Sequence, residues 1–277
     1  MNFTDLLVQV RAEYGLTADF AQVTQAMALL LLRILPTIIL TPIIGGETTP
    51  VEVKMGLGLI LALVVFPSVA DNIKAISTTN PIEIGALLLK ELFVGYTIAF
   101  IVARVFDAAA AGGQLMDNMS GTNSAQIQVP SIGQSVSLYA ALKLQIFITL
   151  FLTLNGHHLV IYAIGESFQT IPIETYPKFS HGMWPFFDLM MRVFGDLLRV
   201  ALAISAPVLL ATFLTDIALG MINRVAPQVQ VFFISMQIKP AVTVLVLFTS
   251  LHLIMLRGRD EFGHMFAVLR RAIFLLG

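Results

Sequence analysis

The sequence predicts an all-α, polytopic membrane protein built from kinked and broken helical hairpins. Of its 277 residues, 57% are hydrophobic and only 12% are charged, whereas roughly a quarter of the residues in a soluble domain carry a charge. The mean hydropathy is +0.87. An unpaired backbone amide in lipid costs several kcal/mol, so we expect the apolar stretches to be helical. These six stretches lie at residues 25–45, 54–70, 84–110, 136–164, 193–222 and 228–256.

Short polar segments separate the apolar stretches, and the chain ends in an arginine-rich tail. The segment 120–135, SGTNSAQIQVPSIGQS, contains no charged residue. The tail 257–277 is predicted to form a short amphipathic helix, and its arginines favour a cytoplasmic C-terminus. The other separating segments are GGETTPVEVK (45–54), DNIKAISTTNP (71–81) and ESFQTIPIETYPKFSHGMWP (166–185).

The apolar stretches contain more ionisable side chains than lipid readily accepts. A charge at the bilayer centre costs about 2.5–3.5 kcal/mol. We therefore expect these groups to face one another, water or partner subunits, and we predict that they are buried in an assembly. They are Arg33, Lys90, Glu91, Arg104, Asp107, Lys143, Arg192, Asp196, Arg199, Asp216, Arg224 and Lys239.

Three of these charges are spaced for local pairing. Arg192 and Asp196 are four residues apart, and Asp196 and Arg199 are three apart, so all three share one face of a helix. They form either a cluster that compensates its own charge or part of an ion-pair lattice between subunits.

Prolines interrupt several of the same stretches. Each removes a backbone N–H and kinks or ends a helix, which is tolerated at membrane depth where the backbone is buried in protein or lines a cavity. We predict helix breaks at these prolines, with ordinary packing kinks as the alternative. They are Pro36, Pro42, Pro207 and Pro227.

The sequence gives little sign of catalysis or of a cofactor. The net charge of −1 provides no basic stripe for nucleic acid, and there is no cysteine. His157 and His158 point about 100° apart on a helix and share no metal-binding face. GESFQ has Gln169 where a nucleophile elbow requires glycine. We predict no enzyme activity, no catalytic residue, no metal, no cofactor and no nucleic-acid partner.

The stretch 108–130, AAAAGGQLMDNMSGTNSAQIQVP, has a different composition. Small residues allow helices or loops to approach closely, and its glycines permit dihedral angles that other residues avoid. Its methionines are flexible apolar side chains that can re-pack around varied shapes. A soft, charge-poor loop of this kind suits a gate in a conduit, with a plain interhelical loop as the alternative.

Four motifs in order resemble the FliR/SctT family, the inner-membrane export-gate proteins of the flagellar and injectisome type III secretion systems. No single motif is decisive, but their order is specific and covers nearly the whole chain. The motifs are RILPTIILTPIIGGETTPVEVKMGLGLILA (33–62), KELFVGYTIAF (90–100), NGHHLVIYAIGESFQTIPI (155–173) and ALGMINRVAPQVQVFF (218–233).

The resemblance implies a role in passing unfolded flagellar or effector proteins across the bacterial inner membrane. It implies that the chain is one stave of a helical cone, formed with FliP/SctR-like and FliQ/SctS-like proteins and joined by FlhB/SctU-like and FlhA/SctV-like components. The expected location is the flagellar basal body or the injectisome base, with unfolded secretion substrates and the lipid membrane as further partners. In such a cone the counted charges would be buried between subunits.

The resemblance also implies one export-gate domain, 1–277. Its parts are N-terminal helical hairpins (1–110), a plug loop (111–135), C-terminal helical hairpins (136–256) and the tail (257–277). Carried over by residue order, the plug or pore positions are Gly112, Gly113, Met116, Met119, Gly121 and Gln126.

Two departures from the family pattern concern the branch to which the chain belongs. NGHH and ESF are similar to flagellar members, whereas Gln237 in SMQIKP is closer to the injectisome branch and VPSIGQSVS departs from the usual loop. We favour the flagellar branch. The alternatives to an export channel are a secondary transporter of a small solute, which also uses broken helices and midplane charges, and a non-conducting assembly scaffold.

Overall fold

The computed structural model describes residues 20–42, 49–69, 81–122, 127–129, 134–179 and 182–277. Within these ranges the chain is almost entirely helical, which confirms the predicted all-α class. A short antiparallel hairpin, which the sequence did not predict, lies between the third and fourth helices. The helices are α1 (Phe20–Leu40), α2 (Val51–Val69), α3 (Pro81–Ser120), α4 (Leu138–Thr153), α5 (Gly156–Thr170), α6 (Met183–Val225) and α7 (Val231–Leu276), and the strands are β1 (Ile127–Val129) and β2 (Gln134–Val136).

Several of these helices are long and apolar enough to cross a membrane. Among the described residues, α1, α3, α6 and α7 qualify singly, and α4 with α5 qualifies as a pair bent by 70°. A span needs about 20 residues, whereas α3, α6 and α7 have 40, 43 and 46. The protein is therefore a polytopic helical membrane protein, and these three helices are about twice as long as a bilayer requires.

The bend between α4 and α5 explains the NGHH motif. Asn155 has a φ of 55°, a left-handed conformation that asparagine adopts more readily than most residues. A Cβ on Gly156 would lie 2.3 Å from the Phe151 ring, so only glycine fits there. The apolar stretch 136–164 is thus two helices joined at a sharp turn.

The prolines divide into two groups. Pro42 follows the end of α1, and Pro227 lies between α6 and α7, as predicted. Pro36 and Pro207 lie inside α1 and α6, so the helix breaks predicted at these two positions are wrong. A proline inside a helix costs one backbone hydrogen bond, and neighbouring side chains can satisfy the freed groups.

The C-terminal tail is the end of α7. The predicted boundary near residue 257 is wrong, because the helix continues without interruption to Leu276. The predicted amphipathic pattern is confirmed, since Phe262, Met265, Leu269 and Ile273 are buried at spacings of three or four residues, while Arg270 is exposed.

The chain divides into two compact units. The first contains Met1–Val102, Leu159–Phe186 and Leu269–Gly277, and the second contains Ala103–His158 and Phe187–Val268. Aromatic rings fill the core of the second unit, where Phe262 lies 5.2 Å from Phe151 and 5.7 Å from Phe106 between ring centroids. Tilted contacts at such distances add to the free energy of area burial.

Candidate functional site

The segment between α3 and α4 is held at both ends by one buried carboxylate. Asp117, in the last turn of α3, accepts a hydrogen bond from the Thr122 hydroxyl at 2.8 Å. It also accepts hydrogen bonds from the Tyr139 N–H at 3.0 Å, the Ala140 N–H at 3.3 Å and the Ser137 hydroxyl. We call these contacts the Asp117 clamp. The clamp brings the two ends of segment 121–137 together.

The clamp also provides a hydrogen-bond acceptor for the first N–H groups of α4. The first N–H groups of a helix have no partner within it, and the side chain of Ser137 at the N-cap makes no capping hydrogen bond. The Asp117 carboxylate takes that place, and its charge suits the positive end of the helix dipole. Our sequence analysis missed Asp117, although it is the only charged residue between Asp107 and Lys143.

The paired glycines serve close packing. A Cβ on Gly113 would lie 2.3 Å from the Ala140 Cα, and one on Gly112 would lie 2.9 Å from the Ala201 carbonyl oxygen. These two glycines therefore allow the close approach that their small size predicts. The expectation of unusual dihedral angles at these two glycines is wrong, because both lie inside α3. Gly121 alone of the three predicted plug glycines needs that freedom, with a φ of 76°.

The predicted plug loop is shorter than 111–135. Residues 111–120 form the last turns of α3, so the segment that leaves the helix begins at Gly121. The described part of the remainder is the β1–β2 hairpin, in which Ile127 pairs with Val136 and Val129 with Gln134.

The two predicted plug methionines differ in exposure. Met116 is completely buried and Met119 is 43% exposed, so only Met119 is accessible in this state. Gln126 lies outside the described residues.

In the first unit, the buried charges pair within the chain. The Arg33 guanidinium donates to both carboxylate oxygens of Glu91, at 2.8 Å for the Nη2–Oε1 contact. It also donates to the carbonyl oxygens of Ser167 and Ile171, both at 2.9 Å, and lies over the Phe168 ring. The Ser167 carbonyl lies in the last turn of α5 and the Ile171 carbonyl directly follows the helix, at the end where a helix leaves carbonyl groups without intrahelical partners.

Lys90 and Gly95 complete this arrangement, which we call the Arg33 cluster. Lys90 pairs with Glu91 and donates to the carbonyl oxygens of Pro172 at 3.1 Å and Ile173 at 2.8 Å. A Cβ on Gly95 would lie 2.5 Å from the Arg33 carbonyl oxygen. The motif KELFVG therefore supplies a cation, an anion and the space that α1 occupies. These charges are buried and face one another, which is one of the arrangements expected from the sequence, whereas the expectation that they pair between subunits is wrong.

The second unit contains a looser arrangement, which we call the Arg104 cluster. Arg104 is 2% exposed, and its guanidinium lies 3.5 Å from the Asp196 carboxylate and 3.7 Å from that of Glu261. Among the described residues, none of its three nitrogens makes a hydrogen bond. For Arg104, too, the pairing is within the chain and the expectation of a partner subunit is wrong.

The local cluster expected on α6 does not form. Arg192 pairs with Asp188 at 2.8 Å, whereas Asp196 faces Arg104, so the prediction that Arg192, Asp196 and Arg199 compensate one another is wrong. Arg199 is exposed and makes no ion pair within the described part of the chain. Arg192 thus pairs one turn earlier on α6 itself, and Asp196 pairs with a residue of α3.

Four of the predicted inter-subunit charges lie at less buried positions. Lys239 of α7 and Asp216 of α6 form an ion pair at 2.5 Å, so this pairing is also within the chain. Asp107 and Arg224 are exposed. Arg224 lies in the last turn of α6, where a cation suits the helix dipole.

A buried lysine donates a hydrogen bond to the backbone of α6 close to Pro207. The Lys143 ammonium is completely buried and donates to the Ile204 carbonyl oxygen at 3.0 Å. Ser205 donates to the Gly112 carbonyl oxygen at 2.9 Å. In the described part of the chain, no group of three or more acidic or histidine side chains is placed to hold a metal ion.

Several long apolar helices with charged side chains paired inside the chain define a multi-pass membrane protein. Residues 24–265 match the family described as Bacterial export proteins, family 1. The chain belongs to this family, which confirms the resemblance to FliR/SctT and makes the chain a component of a bacterial type III export apparatus that works with other export components.

Relatives from both branches match most of the chain. Flagellar biosynthetic protein FliR of Bacillus subtilis (strain 168) is 26% identical over 91% of this chain and 96% of its own length. FliR of Pectobacterium carotovorum subsp. carotovorum is 30% identical over 86% and 88%. Yop proteins translocation protein T of Yersinia pestis is 29% identical over 79% and 83%.

Proposed function

We propose that the chain forms part of the channel through which a type III export apparatus passes unfolded proteins across the bacterial inner membrane. In this proposal, segment 121–137 closes the channel until a substrate displaces it. The observation that carries the proposal is the Asp117 clamp, which ties both ends of an uncharged segment to one buried carboxylate.

The composition of the segment supports a gate that accepts varied substrates. Residues 121–137 contain no Asp, Glu, Lys or Arg, so the segment offers no fixed charge to attract or repel a passing polypeptide. The clamp holds both ends of the segment, at Thr122 and Ser137, to the last turn of α3. The four hydrogen bonds that the Asp117 carboxylate accepts would have to remain in place, or be released together, when the segment moves.

The exposed faces of α6 and α7 support assembly with partner proteins. Phe213, Phe232 and Phe248 are all more than half exposed, and both helices are longer than a bilayer. Large exposed apolar patches mark interaction with protein or membrane. We propose that these faces pack against FliP/SctR-like and FliQ/SctS-like proteins, with FlhB/SctU-like and FlhA/SctV-like components as further partners.

Ion leakage through the assembled complex tests the gate. Deleting residues 123–135 removes the interior of the segment and retains Asp117, Thr122 and Ser137. We expect the complex with the deletion to conduct ions in planar bilayers where the wild-type complex does not. Co-purification of the partner proteins controls for assembly, and an assembled complex with unchanged conductance contradicts the proposal.

Crosslinking separates a gate from a scaffold. Since the chain has no cysteine, a single cysteine reports from one position only. We expect a stalled export substrate to crosslink to Met119→Cys, which replaces an exposed side chain, and not to the matched control Met116→Cys, which replaces a buried one. Equal absence of crosslinks at both positions favours a non-conducting scaffold.

We further propose that the chain belongs to the flagellar branch. The basis is the NGHH and ESF motifs, since relatives from both branches match. Expression in a motile bacterium that lacks its own FliR should restore swimming. Restoration of injectisome secretion instead, in a strain lacking its FliR-like component, would overturn the assignment.

A further inference from the structure

Two adjoining cavities lie between α6 and α7 in the second unit. The first, of about 390 Å³, is lined by four charged residues, Asp196, Arg199, Arg257 and Glu261, together with His264 and three apolar residues. The second, of about 210 Å³, is lined by apolar residues except for Arg257. The two cavities share Ala203, Ile204 and Arg257, so a charged pocket opens directly into an apolar groove.

Beside the charged pocket lies an arginine whose hydrogen-bonding capacity the described residues do not satisfy. Arg104 is 2% exposed beside the pocket, and its nitrogens make no hydrogen bond among the described residues. Its two acidic neighbours, Asp196 and Glu261, are 3.5 and 3.7 Å away and line the pocket. Such distances leave the carboxylate oxygens available to another donor.

Both arginines of the pocket are also available. Arg199 and Arg257 are exposed, and neither makes an ion pair in the part of the chain that the structure describes. With Arg104 and the two carboxylates, the formal charge of the cluster is +1, from three arginines against two acids. The pocket therefore offers sites for an anion and a cation within one molecule, with a small excess for the anion.

The pocket lies where the apolar part of each helix begins. Residues 200–215 of α6 and 241–256 of α7 contain no Asp, Glu, Lys or Arg. Each run of 16 residues is about 24 Å long in a helix, close to the hydrocarbon thickness of about 30 Å. When these runs lie in hydrocarbon, the charged pocket is at the level of the lipid headgroups and the apolar groove extends towards the acyl chains.

We propose that these two cavities bind one phospholipid with an ethanolamine headgroup. The phosphate pairs with Arg199 and Arg257, the ammonium donates to Asp196 and Glu261, and an acyl chain follows the groove beside Pro207 and Leu253. A free phosphate would leave the carboxylates and the groove unused. A choline headgroup has no N–H to donate, and a glycerol headgroup has no positive charge for the carboxylates.

Native mass spectrometry of the full-length protein in detergent tests the site. Phosphatidylethanolamine, phosphatidylcholine and phosphatidylglycerol are added separately at matched concentrations. We expect one phosphatidylethanolamine to be retained more tightly than either other lipid. Millimolar inorganic phosphate should leave it bound, and displacement by phosphate would show a simple anion site and overturn the proposal.

Matched arginine variants test the headgroup contacts. The double substitution Arg199→Gln/Arg257→Gln should weaken retention of phosphatidylethanolamine about tenfold, since two solvent-exposed charge pairs are lost, which typically contribute little each. The control Arg192→Gln/Arg259→Gln removes the same charge from the same two helices outside the pocket. Equal retention in both variants, or equal retention of all three lipids by the wild type, overturns the proposal.

A second pair tests the groove without altering charge. Ala206 lines the groove, and Ala218 is exposed on the same helix. Ala206→Phe should fill the groove and weaken retention of phosphatidylethanolamine several-fold, whereas Ala218→Phe should not. If Ala206→Phe retains lipid like the control, the acyl chain does not lie in the groove and the proposal fails.

Discussion

Arg33 and Arg104 are equally hidden from solvent but differ in what surrounds them. Their side chains are 0% and 2% exposed, and both face carboxylates. Arg33 makes hydrogen bonds through all three nitrogens, whereas within the described residues Arg104 makes none. Burial alone therefore does not show whether a charged side chain stabilises the fold or belongs to a site with unused hydrogen-bonding capacity.

The difference follows from how each carboxylate is presented. Glu91 is completely buried and meets Arg33 with both oxygens, an arrangement in which the low local dielectric strengthens each contact. Asp196 and Glu261 are 29% and 27% exposed and lie 3.5 and 3.7 Å from the Arg104 guanidinium. The Arg33 cluster joins α1, α3 and α5, while the Arg104 cluster retains capacity for a ligand.

The largest expected effect comes from breaking the Arg33 cluster. Glu91→Gln leaves Arg33 and Lys90 buried without their shared anion, and removal of one partner from a buried pair costs about 3–5 kcal/mol. The free energy of unfolding, measured by SDS titration of the full-length protein, should fall by this amount.

The control for this experiment is Glu83→Gln, an exposed position on the same helix. Surface substitutions usually change stability by less than about 0.5 kcal/mol. If the two glutamates give equal effects, the Arg33 cluster does not stabilise the fold.

The next largest effect on stability is expected from Gly95→Ala, with Gly195→Ala as its control. A Cβ on Gly95 would lie 2.5 Å from the backbone of Arg33, whereas one on Gly195, beside Asp196, would have nothing within 4 Å. Gly95→Ala should cost about 1–3 kcal/mol, because it forces α1 and α3 apart. Gly195→Ala should stabilise the protein by up to about 1 kcal/mol through helix propensity, and a similar loss in both variants would contradict the comparison.

Asp117 is a buried charge of a third kind. Among the described residues, its carboxylate accepts hydrogen bonds from neutral hydroxyl and N–H groups and has no cationic partner. Asp117→Ala removes the acceptor for the first turn of α4, which should cost about 1–2 kcal/mol and raise ion leakage through the assembled complex. The matched control is Asp107→Ala, at an exposed position on the same helix. Unchanged leakage in an assembled complex with Asp117→Ala would show that the clamp does not hold the gate.

The all-α class and the family motifs could be recognised from the sequence. The pairing partners of the charged residues could not, where those partners are distant in the chain. KELFVG indicated a charged element, but its partner Arg33 lies 58 residues from Glu91. Asp196 was expected to pair three or four residues away, yet it faces Arg104 on another helix. The Asp117 clamp caps a helix from 20 residues away, beyond the range of local capping rules.

The smallest expected effect is that of Arg104→Met, and it tests the comparison most directly. Removing one partner of an ion pair is costly when the charge left behind is buried, but Asp196 and Glu261 are 29% and 27% exposed and stay solvated without Arg104. We expect a loss below about 1 kcal/mol in the same SDS titration. Arg33→Met should cost about 3–5 kcal/mol, because the buried Glu91 and the carbonyls of Ser167 and Ile171 lose their donor. Equal losses would mean that Arg104 is as fully integrated as Arg33, and that its missing hydrogen bonds do not mark a site open to a ligand.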